Sequence, residues 1–271
     1  MKIVHFSDPH AGGGAEDWMA YFDKRWVGVF NYHFRRRFKH DLSKLVLAVE
    51  YILDTKPDAA VCTGDLTSAG QPGEFAKVLE VLKPLRDSGI PLLYMPGNHD
   101  CYVRRKSCVK AVRDAVRYLS GGKWEFADFP QKVDIGDIRF LMVNTSAPSN
   151  LLCSWGFMTS ENVDWVKAQC DKPDDGLQKI LLSHYPMYED HPILRMRHRL
   201  FGQKDIVELI EKRQIALSLC GHVHKPYMRK NAAGEVLEEC SGSVTRNGSM
   251  MEITAENGSF KFNTIDLTEN L

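Results

Sequence analysis

Five short polar blocks constrain this chain more than any other feature: Asp8-Pro9-His10, Gly64-Asp65, Gly97-Asn98-His99-Asp100, Ser183-His184 and Gly221-His222-Val223-His224. Each stands just after an apolar, strand-like run, at residues 3–6, 59–62, 92–95, 180–182 and 215–219. In open α/β sheets the carboxyl ends of the strands converge on one edge, where ligands bind. A chain that places a polar block after five separate strands gathers those blocks in space. Side chains at i and i+2 of an extended segment point the same way. The expectation is therefore that Asp8 and His10 grip one ion and that His222 and His224 present together. Gly64, Gly97 and Gly221 beside the blocks permit sharp turns and close backbone approach.

Between the blocks the hydrophobic period alternates between strand and helix. Strands are expected over 2–6, 59–62, 91–95, 179–183 and 215–219. Helices are expected over 42–53, 74–86, 107–119, 160–169 and 204–212. Residues 133–143 read as a β-hairpin turning at Gly136-Asp137, and the tail as strands with turns at Ala233-Gly234 and Asn257-Gly258. Helices outside and strands packed between them give an α/β sandwich of two facing sheets. No internal repeat or Pro/Gly-rich linker divides the sequence, so one domain over 1–271 is expected.

The blocks offer imidazole, carboxylate and amide oxygen, with no thiolate. That mixture suits a hard to borderline divalent cation, Mn²⁺ foremost and Fe²⁺ or Zn²⁺ next, and not a structural zinc site. Two ions roughly 3.5–4 Å apart need a shared carboxylate and hold a bridging hydroxide for in-line attack on phosphorus. The seven cysteines include no Cys-x-x-Cys pair, and Cys62 and Cys220 lie in apolar runs, which reads as buried thiols in a reducing compartment. No apolar stretch approaches the ~20 residues of a membrane span, and the first strand is too short for a signal peptide. A cytoplasmic protein is expected, peripheral at most to the cytoplasmic face of a membrane. With 35 basic and 35 acidic residues, the molecule as a whole exerts no pull on nucleic acid.

The order Asp-x-His, Gly-Asp, Gly-Asn-His-Asp, His, Gly-His-x-His over residues 8–224 resembles the calcineurin-like metallophosphoesterases. The resemblance implies a four-layer α/β/β/α sandwich. It implies that Asp8, His10, Asp65 and His224 hold one metal, and that Asp65, Asn98, His184 and His222 hold a second, with Asp65 as the bridge. It also places His99 beside the leaving group as general acid or transition-state stabiliser. Asp100 has two readings, a place behind the ligands where it orients a histidine and a simple part in loop structure.

The Gly-Asp block continues as Leu66-Thr67-Ser68-Ala69-Gly70, which departs from the Asp-Arg-Gly extension of the protein phosphatases. It is similar to the small bacterial branch that includes cyclic-nucleotide and glycerophosphodiester phosphodiesterases. Residues 18–38 are unusual: Trp18, Tyr21, Phe22, Trp26, Phe30, Tyr32, Phe34 and Phe38 stand among Lys24, Arg25, Arg35, Arg36 and Arg37. Two main readings are open for this insertion at about 15–40, with nucleic-acid binding a minor third. Its aromatics pack on the core, or it forms a cap over the metal edge that meets a membrane interface. The run Lys24-Arg25-Trp26-Val27-Gly28, with Asn31-Tyr32 and Arg35-Arg36, resembles an insertion in metallophosphoesterases that include a UDP-diacylglucosamine pyrophosphatase of lipid A synthesis. That likeness implies a lipid-linked nucleotide substrate, with Trp26, Arg35 and Arg36 in contact with it. Arg195, Arg197 and Arg199 form a second candidate phosphate-binding run. A soluble cyclic-nucleotide or other small-molecule phosphodiesterase is the alternative, and a non-catalytic scaffold the rival from another class.

Overall fold

The computed structural model describes residues 1–148, 153–171, 176–188 and 198–268. One five-stranded sheet has the order β13-β12-β1-β2-β3, made by β13 (Ser259–Asp266), β12 (Ser249–Glu256), β1 (Lys2–Phe6), β2 (Ala59–Cys62) and β3 (Leu92–Tyr94). A six-stranded sheet has the order β10-β11-β9-β7-β5-β4, made by β10 (Tyr227–Lys230), β11 (Val236–Cys240), β9 (Leu217–Cys220), β7 (Gln178–Leu182), β5 (Ile138–Met142) and β4 (Gln131–Ile135). Strands β1, β2 and β3 run parallel in the first sheet, and β5, β7 and β9 in the second.

Alternation along the strands builds the layers, because successive side chains face opposite sides of a sheet. Ile3, Ala59, Val61 and Leu93 face Ile138, Phe140, Ile180 and Leu217 between the sheets. Val4, Phe6, Ala60 and Cys62 face the other way, into α2 (Leu42–Thr55), α3 (Pro72–Asp87) and α4 (Lys106–Leu119). On the far side Leu141, Val143 and Leu181 pack under α5 (Ser160–Cys170) and α6 (Lys204–Glu211). The molecule is the expected four-layer α/β/β/α sandwich. Burial on both faces explains why these strands read as continuous apolar runs and not as alternating ones. A two-residue pair, β6 (Gly156–Phe157) with β8 (Leu200–Phe201), and the one-turn helix α7 (Val244–Asn247) are too short to leave a period in the sequence. No described helix is long and apolar enough to cross a membrane. The seven cysteines are free thiols, five of them buried.

Residues 18–38, the segment read above as a cap, fold as a turn at Trp18–Tyr21, helix α1 (Arg25–Phe34) and a turn at Arg36–Phe38. The core-packing reading fails for seven of its eight aromatics; Tyr32 alone of them is half-buried, against Gly12. Trp18, Tyr21, Phe22, Trp26, Phe30, Phe34 and Phe38 are all exposed, Phe22 by 75%. The cap is held by other means. Gly28 lies against Ala69 so closely that a Cβ there would fall 2.8 Å from the Ala69 Cβ. Arg25 is wholly buried and grips two carboxylates. Its Nη1 and Nη2 donate to Asp17 at 2.7 and 2.9 Å, and its Nε donates to Asp23 at 2.9 Å.

Removing this guanidinium leaves two carboxylates facing each other without their counter-ion. Arg25→Ala should lower stability by about 2–3 kcal/mol, less than a wholly buried pair would lose, because Asp17 and Asp23 keep some contact with water. Urea unfolding measures it, and an unchanged midpoint would show that Arg25 does not hold the cap.

Candidate metal centre

All five blocks follow parallel strands: β1, β2 and β3 in one sheet, β7 and β9 in the other. Their loops meet at one end of the sandwich and are stitched together through the backbone. Asp8 N donates to Gly64 O at 2.9 Å, and His10 N to Asp65 O at 2.9 Å. Close approach needs glycine here: a Cβ on Gly97 would stand 2.1 Å from Asp65 Oδ1, and one on Gly221 2.1 Å from Ser7 Oγ.

The extended geometry expected around the blocks is absent. Asp8, His10, Asp65, His222 and His224 all have left-handed backbones, with φ of 54°, 49°, 53°, 70° and 54°. Each costs on the order of 1 kcal/mol or more for a residue with a Cβ. The curl, and not strand alternation, turns Asp8 and His10 to the same point. It also sends His222 and His224 to different ones. Asp8, His10, Asp65 and His224 form one group with ligand atoms within 4.8 Å of one another, and Asp65, His184 and His222 form a second. Asn98 Oδ1 completes the second group, 3.1 Å from His184 Nε2 and 2.8 Å from His222 Nδ1.

Each carboxylate is tied on one oxygen and bare on the other. Asp8 Oδ2 accepts from His222 N at 3.0 Å, and Asp65 Oδ1 from His99 N at 2.7 Å. Asp8 Oδ1 and Asp65 Oδ2 are buried and face imidazole nitrogens, His224 Nε2 at 3.2 Å from the first and His184 Nε2 at 3.4 Å from the second. The histidines are anchored the same way. His10 Nδ1–H donates to Thr67 O at 3.1 Å and His184 Nδ1–H to Thr63 O at 2.7 Å, so in both rings Nε2 faces inward. His10 Nε2 lies 2.7 Å from His224 Nε2 and 3.5 Å from Asp65 Oδ2. Bare carboxylate oxygens and imidazole nitrogens turned toward common points, out of water, fit cations and little else.

Burial holds His10, His99 and His222 well below the ordinary histidine pKa, with the Arg36 charge adding to the effect at His10 and His99. Burial would depress His184 too, but the Asp65 carboxylate outweighs it and raises the imidazole to about 9. Asp100 does not orient a histidine. Its carboxylate accepts from Leu66 N, Thr67 N, Gly97 N and the hydroxyls of Thr67 and Tyr94, at 2.7–3.2 Å. It thereby binds the Gly-Asp loop to the Gly-Asn-His-Asp loop.

Arg36 of the cap reaches the cluster, with Nη2 3.0 Å from His99 Nε2 and Nη1 3.4 Å from His99 Nδ1 and 3.3 Å from His10 Nδ1. Trp26 and Arg35 stay on the outer surface, and the Arg199 guanidinium lies over the Phe201 ring at 4.6 Å. Arg195 and Arg197 lie outside the described residues. Sequence reasoning missed His40, whose ring stands edge-on to His10 at 5.0 Å. A lone histidine between the cap and α2 carries no local signal.

A family model described as calcineurin-like phosphoesterase matches residues 1–226. Among curated proteins, the chain is 28% identical over 182 residues to the glycerophosphodiester phosphodiesterase GpdQ of Enterobacter lignolyticus, covering 64% of this chain and 58% of that protein. It is 23% identical over 224 residues to a cAMP/cGMP dual specificity phosphodiesterase of Mycobacterium tuberculosis, covering 82% and 61%. The chain thus spans about three-fifths of the length of these relatives. A dimetal phosphatase from Danio rerio superposes with a TM-score of 0.64 over 98% of this chain and 99% of that one, at 13% identity, a likeness of fold.

With its pKa near 9, His184 is protonated at neutral pH in the metal-free protein, and that proton sits on the nitrogen a cation would need. The ion pair with Asp65 stabilises the metal-free fold fully below pH 6.5 and is lost as pH rises through 9. Metal binding at pH 7 should therefore release about one proton, and affinity should rise with pH. Calorimetry of Mn²⁺ binding in buffers of different ionisation enthalpy measures the release; a heat independent of buffer would contradict it.

Proposed function

The chain belongs to the calcineurin-like phosphoesterase family, and from that premise we propose that it is a dinuclear metal-dependent hydrolase of phosphodiesters or pyrophosphates. The observation that carries this reading is the pair of buried clusters joined at Asp65, each with bare ligand atoms turned inward. Asp8, His10, Asp65 and His224 would hold one ion and Asp65, Asn98, His184 and His222 the other, with Asp65 shared. The donor set suits Mn²⁺, with Fe²⁺ or Zn²⁺ as alternatives. When bound, such a pair supplies Lewis acidity at phosphorus and a nucleophile from water at neutral pH. The chain's own part is to fix the donors: backbone amides hold one oxygen of each carboxylate, carbonyls hold the outer nitrogens of His10 and His184, and Asp100 locks two of the loops together. A scaffold without catalysis has no use for so many buried, unpaired ligand atoms, each of which costs stability.

The phosphodiesterase names of the relatives support a diester of a small molecule, such as a cyclic nucleotide or a glycerophosphodiester. The direct test is an Mn²⁺-supplemented panel of cyclic AMP, an aryl phosphodiester and a UDP-linked acylated sugar. The wild type should hydrolyse at least one of them, and Asp65→Ala should lose metal and activity together. Wild-type turnover by Asp65→Ala would end the two-metal reading.

A second reading, a lipid-linked diphosphate cleaved at the cytoplasmic face of a membrane, is favoured by the cap. Trp26, Phe30 and Phe34 lie four residues apart on α1 and are all exposed, with Arg35, Arg37 and Lys39 exposed beside them. Aromatic rings with interspersed cations suit an anionic headgroup region. On this reading the protein floats with phosphatidylglycerol vesicles at low salt, is released by raised salt, and is lost from them in the Trp26→Ser/Phe30→Ser double variant. Protein left unbound by anionic vesicles at low salt would remove the lipid substrate's main support.

A further inference from the structure

A short way down the strands from the metal cluster, a histidine and a glutamate interrupt the apolar layer between the sheets. His5 of β1 stands in register with Val61 and Met251, and Glu239 of β11 with Leu219. Those three neighbours belong to the apolar core between the sheets. Neither His5 nor Glu239 has any exposed surface, and His5 Nδ1 lies 2.5 Å from Glu239 Oε2. The pair thus joins one sheet to the other. Stability gives little reason to keep it, because apolar side chains of similar volume often replace a buried pair of this kind without loss.

The other side of the ring leads to the cluster. His5 Nε2 lies 2.9 Å from Thr63 Oγ1, and Thr63 O accepts from His184 Nδ1–H at 2.7 Å. Thr63 follows Cys62, the last residue of β2 paired with β1, and its own amide reaches Phe6 O only at 3.3 Å. The contact with His5 therefore supplies a hold that the strand ladder no longer gives. The path Glu239–His5–Thr63–His184 runs from the six-stranded sheet to the five-stranded one and back again. It crosses where the second group of ligands must be assembled. Asp8, His10 and Asp65 of the first group come from loops of the five-stranded sheet, and His224 from the other. The second group takes Asp65 and Asn98 from one sheet and His184 and His222 from the other. It depends more on how the sheets are set against each other.

We propose that His5 and Glu239 are positioning residues for the second ion, holding the Thr63 carbonyl, and with it the His184 ring, at the spacing which that ion requires. The inference rests on the two-metal reading and deepens it. A partner behind a metal-binding imidazole fixes the orientation of the ring, and its loss typically weakens the metal about 10–100-fold. Here the hold passes through one more residue, so the lower end of that range is expected. Neither His5 nor Glu239 is among the ligand atoms; both act through Thr63.

The test combines calorimetry of Mn²⁺ binding with urea unfolding of the metal-free protein. In the double variant His5→Leu/Glu239→Met the unfolding midpoint should be no lower than in the wild type, while the second ion binds about tenfold less tightly. Thr63→Val keeps the carbonyl and loses the hydroxyl; it should show the same weakening, and adding it to the double variant should change nothing further. Glu239→Gln keeps an acceptor oxygen for His5 and should restore most of the affinity. The weakened binding step should be the one that His184→Ala abolishes and His10→Ala retains. A double variant with a lowered midpoint and both steps weakened equally would overturn the proposal in favour of a purely structural pair. Wild-type affinity for both ions in Thr63→Val, which can be read even where the double variant fails to fold, would overturn it as well. A wild type that takes up no pair of ions would instead sink the two-metal reading itself.

Discussion

The constraint on which the rest of this structure depends is the crowding of buried ligand atoms around Asp65. Its Oδ2 and the Oδ1 of Asp8 are buried and face only imidazole nitrogens, with His10 and His184 at 3.5 and 3.4 Å from Asp65 Oδ2 and His224 at 3.2 Å from Asp8 Oδ1. An unpaired buried carboxylate costs several kcal/mol unless something cationic answers it. In the metal-free chain a proton on His184 answers part of it, which is why that histidine is raised while burial depresses His10 and His222. Left-handed backbones at five cluster residues add to the cost. The offset comes from the apolar layers on either side and from Asp100, whose carboxylate takes hydrogen bonds from both loops that flank Asp65.

Most of the frame was legible in the chain because it rests on repetition. Strand, polar block and helix recur, and a block after each of five parallel strands can only meet at one edge. The helices were placed within a few residues, α2 and α3 each running slightly further than their apolar period, to Thr55 and Asp87. How the blocks converge was not legible. Strand alternation predicts convergence of Asp8 with His10, and the structure achieves it by curling the backbone, a conformation that Asp and His do not advertise as glycine does. Asp100 was singled out, but not what it binds, since the backbone amides it gathers leave no trace in residue identity.

The cap was half legible. Its aromatics and arginines drew attention as composition, yet composition could not say which of them face inward. Gly28, Arg25 and Arg36 face the body of the protein, and Trp26, Phe30, Phe34 and Phe38 face away. The aromatics would ordinarily be assigned to the core, since they are the largest apolar side chains in the segment. Here the inward positions go to a glycine that permits contact, an arginine neutralised by Asp17 and Asp23, and an arginine that lies among histidines. Packing reversed the usual order, and only three-dimensional placement reveals it.

That reversal bears on selectivity. A metal pair attacks phosphorus with little regard for the group beyond it, so preference among esters must come from residues that surround the metals without binding them. In this chain the cap supplies such a residue on a three-residue turn. Arg36 points inward while its neighbours Arg35, Arg37 and Phe38 are exposed. Hydrogen bonds from Lys39 N and His40 N to Arg36 O close that turn and hold its backbone in place beside the metal cluster.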